Sequence, residues 1–255
     1  MLLLALPLSA ARLGTAVIPD RYALRIAPDL AAETFAGDET IDLRLRQPAS
    51  VIRLHALGLQ LRNVTIRSGT ETSAMSVLFE PETETVALRA GRVIPAGPAR
   101  LQLHFDGRLN QELRGFYLSR TQKRSYAVTQ FEATDARRAF PCFDEPSFKA
   151  VYDISLLVDS ADTAISNAPL FSDTPDVRGK HLLRFASTPR ISTYLVAFLV
   201  GDFQCEQGRS GDVPVRVCTT PGQQALGALP WPPPRPCSAT TRHTSVCATR
   251  SPSSI

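Results

Sequence analysis

Hydrophobic and polar residues alternate one by one along much of this chain. Ile41, Leu43 and Leu45 alternate with Asp42, Arg44 and Arg46, and Tyr22, Leu24 and Ile26 do the same one segment earlier. Leu101, Leu103 and Phe105 alternate with Gln102 and His104, and Tyr152, Ile154, Leu156 and Val158 with Asp153, Ser155 and Leu157. Successive side chains of a strand point to opposite faces, so each pattern predicts a strand with one buried face. Val77 and Phe79 precede Glu80-Pro81-Glu82-Thr83-Glu84, and Val86 and Leu88 follow it, which predicts a hairpin with a loop of four or five residues. Ile52–Leu54 and Leu57–Leu61, joined near Gly58, predict further short strands. Tyr194–Val200 is a continuous apolar run of strand length and predicts a strand buried on both faces. Nothing before Gln223 offers three turns of amphipathic helix. Many short strands separated by turn signals predict an all-β, antiparallel β-sandwich.

The two ends break this pattern. Met1–Ala11 reads M-L-L-L-A-L-P-L-S-A-A, an apolar run ending in small residues but lacking a positive leader. Residues 1–12 read as a signal-peptide remnant, which makes an exported protein (periplasmic or secreted) the expectation. The plainer reading is a short apolar terminus that packs or frays. From Gln223 onward the chain holds six of the 20 prolines, nine Ser or Thr, three Arg and no Asp or Glu. No strand or helix period survives there, so residues 223–255 are expected to be a disordered tail. A Pro-rich ligand for an aromatic groove is one functional reading of it.

Composition narrows the function classes. The 255 residues are 44% hydrophobic and 20% charged, which is an ordinary globular balance. Three of the four net positive charges come from Arg235, Arg242 and Arg250 in the tail, leaving +1 elsewhere, so no nucleic-acid partner is expected. Five cysteines without C-x-x-C exclude a zinc ribbon and a full disulfide framework. The longest clean apolar run is too short for a transmembrane helix.

Chemistry-bearing residues concentrate in Thr129–Lys149, T-Q-F-E-A-T-D-A-R-R-A-F-P-C-F-D-E-P-S-F-K. Asp144 and Glu145 could form an acid/base pair, since mutual repulsion raises one pKa. With Arg137 and Arg138 beside them a structural role is the stronger reading: the arginines neutralise the carboxylates and fix the turn at Pro141 and Pro146. Gln130 and Glu132 follow a strand-like segment and lie two residues apart, so they share a face. An amide oxygen and a carboxylate together suit an ammonium group, which offers only donors.

That 21-residue string, followed by the Tyr152–Val158 strand, resembles the N-terminal domain of the aminopeptidase N family of zinc metallopeptidases. Further pieces resemble it in order: V-I-P-D-R-Y-A-L-R-I at 17–26, F-A-G-D-E-T-I-D-L at 35–43, G-F-Y-L-S at 115–119 and S-T-Y-L-V-A-F-L-V-G-D-F at 192–203. The resemblance covers roughly 13–222 and implies a saddle-like β domain over 13–207. It also implies that Gln130 and Glu132 bind the free α-amino group of a peptide N-terminus at the edge of an active site. The family's inner face is covered by a catalytic domain, so exposed apolar surface is expected here.

The family's chemistry requires zinc held by H-E-x-x-H, in which two histidines four apart share a helix face. This chain has only His55, His104, His181 and His243, no two of them close, and it lacks the family's G-x-M-E-N exopeptidase motif. No metal ligand is therefore assigned. Residues 208–222 resemble the start of a missing catalytic domain, and the pattern is lost after about Ala225. A shifted reading frame and a truncated, inactive product are the expectation. The alternative is a non-catalytic module that binds peptide N-termini or a partner protein.

Overall fold

The computed structural model describes residues 12–176, 179–210 and 213–224, so the apolar N-terminal run and the Pro/Ser/Arg tail lie outside the described residues. The chain forms two compact units, one of residues up to Ser160 with Ala164–Gly201, the other of Ala161–Thr163 with the residues from Asp202.

The first unit is all-β and has two sheets. Its strands are β1 (Val17–Asp29), β2 (Thr34–Leu45), β3 (Ala49–His55), β4 (Gln60–Ser68), β5 (Glu71–Glu80), β6 (Thr85–Ile94) and β7 (Gly97–Arg108). They continue as β8 (Gly115–Arg120), β9 (Ser125–Gln130), β10 (Val151–Asp159), β11 (Thr163–Ser166), β12 (Leu170–Pro175), β13 (Lys180–Phe185) and β14 (Phe198–Gly201). Ten strands form one sheet in the order β12-β13-β10-β1-β2-β7-β4-β5-β6-β3, and four form the other, β11-β14-β9-β8.

The alternating segments supply the core. Tyr22, Leu24, Ile26, Ile41, Leu43, Leu101, Leu103, Phe105, Tyr152, Ile154, Leu156 and Val158 are all buried. Each fully buried large apolar side chain contributes about 1.5–3 kcal/mol. Aromatic rings join the layers: Phe35 of β2 lies 5.0 Å from Phe116 of β8, which lies 4.9 Å from Phe198 of β14. Two glycines make room for rings across the β2–β7 pair. A Cβ on Gly37 would sit 2.3 Å from the Phe105 ring, and one on Gly107 would sit 2.2 Å from the Phe35 ring. These are reciprocal cross-strand partners, Gly37 with Phe105 and Phe35 with Gly107.

The opposite face of the large sheet carries charge. Asp42 binds Arg100 at 2.6 Å, Asp38 meets His104 at 2.9 Å and Arg25 at 3.4 Å, and Arg21 binds Asp153. Exposed pairs of this kind contribute about 0–1 kcal/mol each, so their main effect is to keep this face in water.

Three features differ from the sequence expectation. The sheets are antiparallel except at β1 and β10, which pair parallel from Arg21↔Val151 to Ile26↔Leu156. This pairing is long-range in sequence, and alternation alone carries no strand direction. Tyr194–Val200 is not one strand. Thr193–Leu195 form a 3-10 turn and only Phe198–Gly201 enter the sheet. The Asn167 amide explains the break, because its Nδ2 donates to the Leu195 carbonyl and its Oδ1 accepts from the Ala197 N–H, both at 2.7 Å. Leu57–Leu61 is not a strand of its own: the chain bends at 57–58 between β3 and β4, and β4 begins at Gln60. The hairpin before Val86 turns through a 3-10 turn at Pro81–Thr83 with Glu84 in the left-handed region. Among the described residues no helix is long and apolar enough to cross a membrane.

The second unit contains a two-stranded antiparallel hairpin, β15 (Gln204–Ser210) and β16 (Val213–Thr219), joined by a disulfide between Cys205 and Cys218.

Candidate functional site

β9 ends at Gln130 and the chain turns directly afterwards. Phe131 is buried at 1% exposure, whereas Gln130 and Glu132 on either side of it are exposed. Phe131 is fixed by edge-on rings, Phe140 at 6.0 Å and Phe198 at 5.9 Å. Burying one ring between two polar residues turns both polar side chains out of the core. Among the described residues neither side chain has a hydrogen-bond or ion-pair partner, so both are available to a ligand. The peptide bond after Glu132 is cis.

The rest of the motif is packed down. Arg137 is 2% exposed, and its Nε donates to Asp144 Oδ2 at 3.0 Å while NH1 donates to Glu84 Oε2 at 2.8 Å. Asp144 is equally buried and its Oδ1 accepts from Thr193 Oγ1 at 2.7 Å. A buried carboxylate with these donors is fully occupied. Arg138 does not reach Asp144 or Glu145; its Nε donates to Asp135 Oδ1 at 2.7 Å. Glu145 instead accepts the backbone N–H of Leu13 at 2.7 Å. Pro146 offers its carbonyl to Ser192 Oγ at 2.7 Å, and Pro141 is buried.

The motif loop is pinned to the sheet at three further points. His55 of β3 and Cys142 exchange backbone hydrogen bonds of 2.8 and 3.0 Å. His55 Nδ1 accepts the Asp144 N–H at 3.2 Å, and the Tyr22 hydroxyl accepts the Phe143 N–H at 3.1 Å. Burial pushes the Cys142 thiol well above its usual range, with the Asp144 charge adding to it, so this cysteine stays protonated. A cavity of about 340 Å³ opens beside the loop, lined by His55, Arg137, Asp144 and Glu145 among others; Gln130 and Glu132 do not line it.

Sequence reasoning missed Glu84, His55 and Thr193, which hold Arg137 and Asp144 from distant points of the chain. It also missed Glu39, buried at 2% on β2 with neither carboxylate oxygen partnered among the described residues. A signal for Glu39 existed, since it occupies an inward position in register with Ile41 and Leu43.

No zinc centre fits these residues. Among the described residues no group of three His, Cys, Asp or Glu converges to hold a metal ion. His104 Nδ1 faces Asp38 and His181 Nδ1 faces Asp173, while His55 serves Asp144.

Comparison with known proteins gives the architecture its family. The model of the peptidase M1 N-terminal domain matches residues 18–195. The chain belongs to the peptidase M1 N-terminal domain family. It is 35% identical over 226 residues to the puromycin-sensitive aminopeptidase of Caenorhabditis elegans, covering 85% of this chain and 24% of that protein. Identity to aminopeptidase M1-B of Oryza sativa is 39% over 223 residues, 85% of this chain and 25% of the relative. Endoplasmic reticulum aminopeptidase 1 of Homo sapiens is 39% identical over 208 residues, 78% and 22% respectively. The chain therefore spans about a quarter of the length of the M1 relatives it matches.

Proposed function

We propose that this domain forms the substrate edge of a zinc aminopeptidase, with Glu132 and Gln130 binding the α-ammonium group of a peptide N-terminus. The observation that carries this is the pair itself: two exposed side chains without partners, held on either side of the anchored Phe131. The Glu132 carboxylate supplies the counter-charge and the Gln130 amide oxygen a second acceptor, and an ammonium donates to both. Asp144 takes no part, because its oxygens are spent on Arg137 and Thr193.

Peptide hydrolysis in this reading belongs to the zinc-binding part of the relatives that lies outside the matched quarter. The chain of 255 residues, purified and supplied with zinc, should release no chromophore from leucine p-nitroanilide, and zinc-dependent turnover would overturn this assignment. A charge-assisted hydrogen bond contributes about 1.5–3 kcal/mol net, so Glu132→Gln should weaken binding of leucinamide about tenfold or more. Unchanged affinity would remove Glu132 from the site. We also place the protein in an oxidising, exported compartment, a reading that the Cys205–Cys218 disulfide supports.

A further inference from the structure

Asn63-Val64-Thr65 has the N-x-T spacing at which an asparagine amide accepts an N-linked glycan. The chain has three asparagines, and the other two, followed by Gln111-Glu112 and by Ala168-Pro169, lack this spacing. Their amides are also spent on the backbone. Asn110 Nδ2 donates to the Arg114 carbonyl at 2.8 Å, and Asn167 Nδ2 to the Leu195 carbonyl at 2.7 Å. Among the described residues neither the Asn63 amide nor the Thr65 hydroxyl has a hydrogen-bond partner.

A regular strand would crowd such an asparagine between its neighbours, but β4 is irregular at this point. Its register against β7 runs from Arg62↔His104 to Thr65↔Gln102, so β4 takes three steps where β7 takes two. The extra residue makes a bulge. Asn63 has φ 53°, in the left-handed region, which asparagine tolerates better than most residues. The bulge suspends alternation. Arg62 and Asn63 are exposed in succession, and the inward order resumes with Val64 at 4% exposure and Ile66 at 1%. On its other side β4 pairs with β5 only from Thr65↔Ala74 onward, so Asn63 has no ladder partner there. Arg62, its outward neighbour, is held by Asp106 at 3.0 Å. A bulky group on the Asn63 amide therefore displaces no internal bond of the domain.

We propose that Asn63 is an acceptor for an N-linked glycan, a proposal that rests on the exported compartment inferred above. The donor is an oligosaccharide joined to a lipid through a diphosphate, brought to the chain by a transferase. Asn63 Nδ2 attacks the anomeric carbon, a C–N bond forms, and the bond from that carbon to the diphosphate oxygen breaks. The lipid diphosphate leaves with the electron pair of that bond, and the amide gives up one proton. The Thr65 hydroxyl, two residues on, is the group by which the transferase selects this asparagine.

The test expresses the full chain in cultured eukaryotic cells, once with its own N-terminus and once behind a cleavable secretion signal. Mass is read in whole-cell extract, so no result depends on how well a variant folds. Behind the signal a glycan-sized increase should appear, and peptide-N-glycosidase should remove it and leave an aspartate at position 63. Asn63→Gln and Thr65→Ala should each abolish the increase, and Thr65→Ser should keep it. The same increase with the chain's own N-terminus supports export as well. An increase seen only behind the signal upholds the acceptor and overturns the exported compartment. The acceptor itself is overturned if the chain behind the signal gains no mass, or if Asn63→Gln or Thr65→Ala still gains it.

Discussion

Two carboxylates twelve residues apart, Glu132 and Asp144, have opposite fates, and burial decides between them. Asp144 gives both oxygens to internal donors in a buried pair with Arg137, whose side chain is 3% exposed against 1% for Asp144. Removing one member of such a pair leaves a buried charge uncompensated, which costs about 3–5 kcal/mol. Asp144→Ala should lower stability by about 3 kcal/mol in urea denaturation, Glu84 retaining part of the Arg137 pairing. Glu132→Gln, on the surface, should change it by less than about 0.5 kcal/mol. Glu39 is a third case. Burial holds its carboxyl well above the usual range, and no partner among the described residues offsets that cost. The folded state thus binds its proton more tightly than the unfolded chain. The stability this provides is complete below the unfolded value of about 4.3 and is lost as pH rises through the folded one. In urea titrations across that range, Glu39→Gln should flatten the fall and leave the variant more stable than wild type at the upper end. Parallel curves for the two proteins would show that Glu39 is not the group responsible.

At the level of elements, side-chain hydrogen bonds decide what alternation cannot. Asn167 bonds the Leu195 carbonyl and the Ala197 N–H just after the 3-10 turn at Thr193–Leu195, so the apolar run enters the four-stranded sheet only at Phe198. Asn167→Ala should cost about 1–3 kcal/mol in thermal or urea unfolding, because two backbone groups lose their partners. Strands β1, β2, β7 and β10 were legible in the sequence because their alternation reports the buried face directly. The parallel β1–β10 pairing was not legible, and neither was the partnership of His55, Glu84 and Thr193 with the motif. Those contacts join residues 49 to 130 positions apart, and no local pattern encodes them. Gln130 and Glu132 stood out in the sequence because they lie two apart after a strand-like segment, and both are exposed on either side of the buried Phe131.

For the whole molecule, the family match over residues 18–195 and the two-sheet architecture agree on what kind of domain this is. Leu78, Phe79, Leu113, Phe171 and Leu195 are large apolar side chains 39–79% exposed in the first unit. The most exposed of them, Phe171, lies on the edge strand β12, where unpaired backbone and apolar surface together favour association. The central claim, that the exposed pair after β9 binds a free α-amine, is tested most directly by amide NMR. Leucinamide should be titrated into the ¹⁵N-labelled chain beside N-acetylleucinamide, which has the same side chain and no ammonium group. The account expects leucinamide to shift the amides of Gln130–Ala133, with no shift there from the acetylated compound or in Glu132→Gln. Equal shifts from both compounds, or shifts confined to residues elsewhere in the chain, would contradict it.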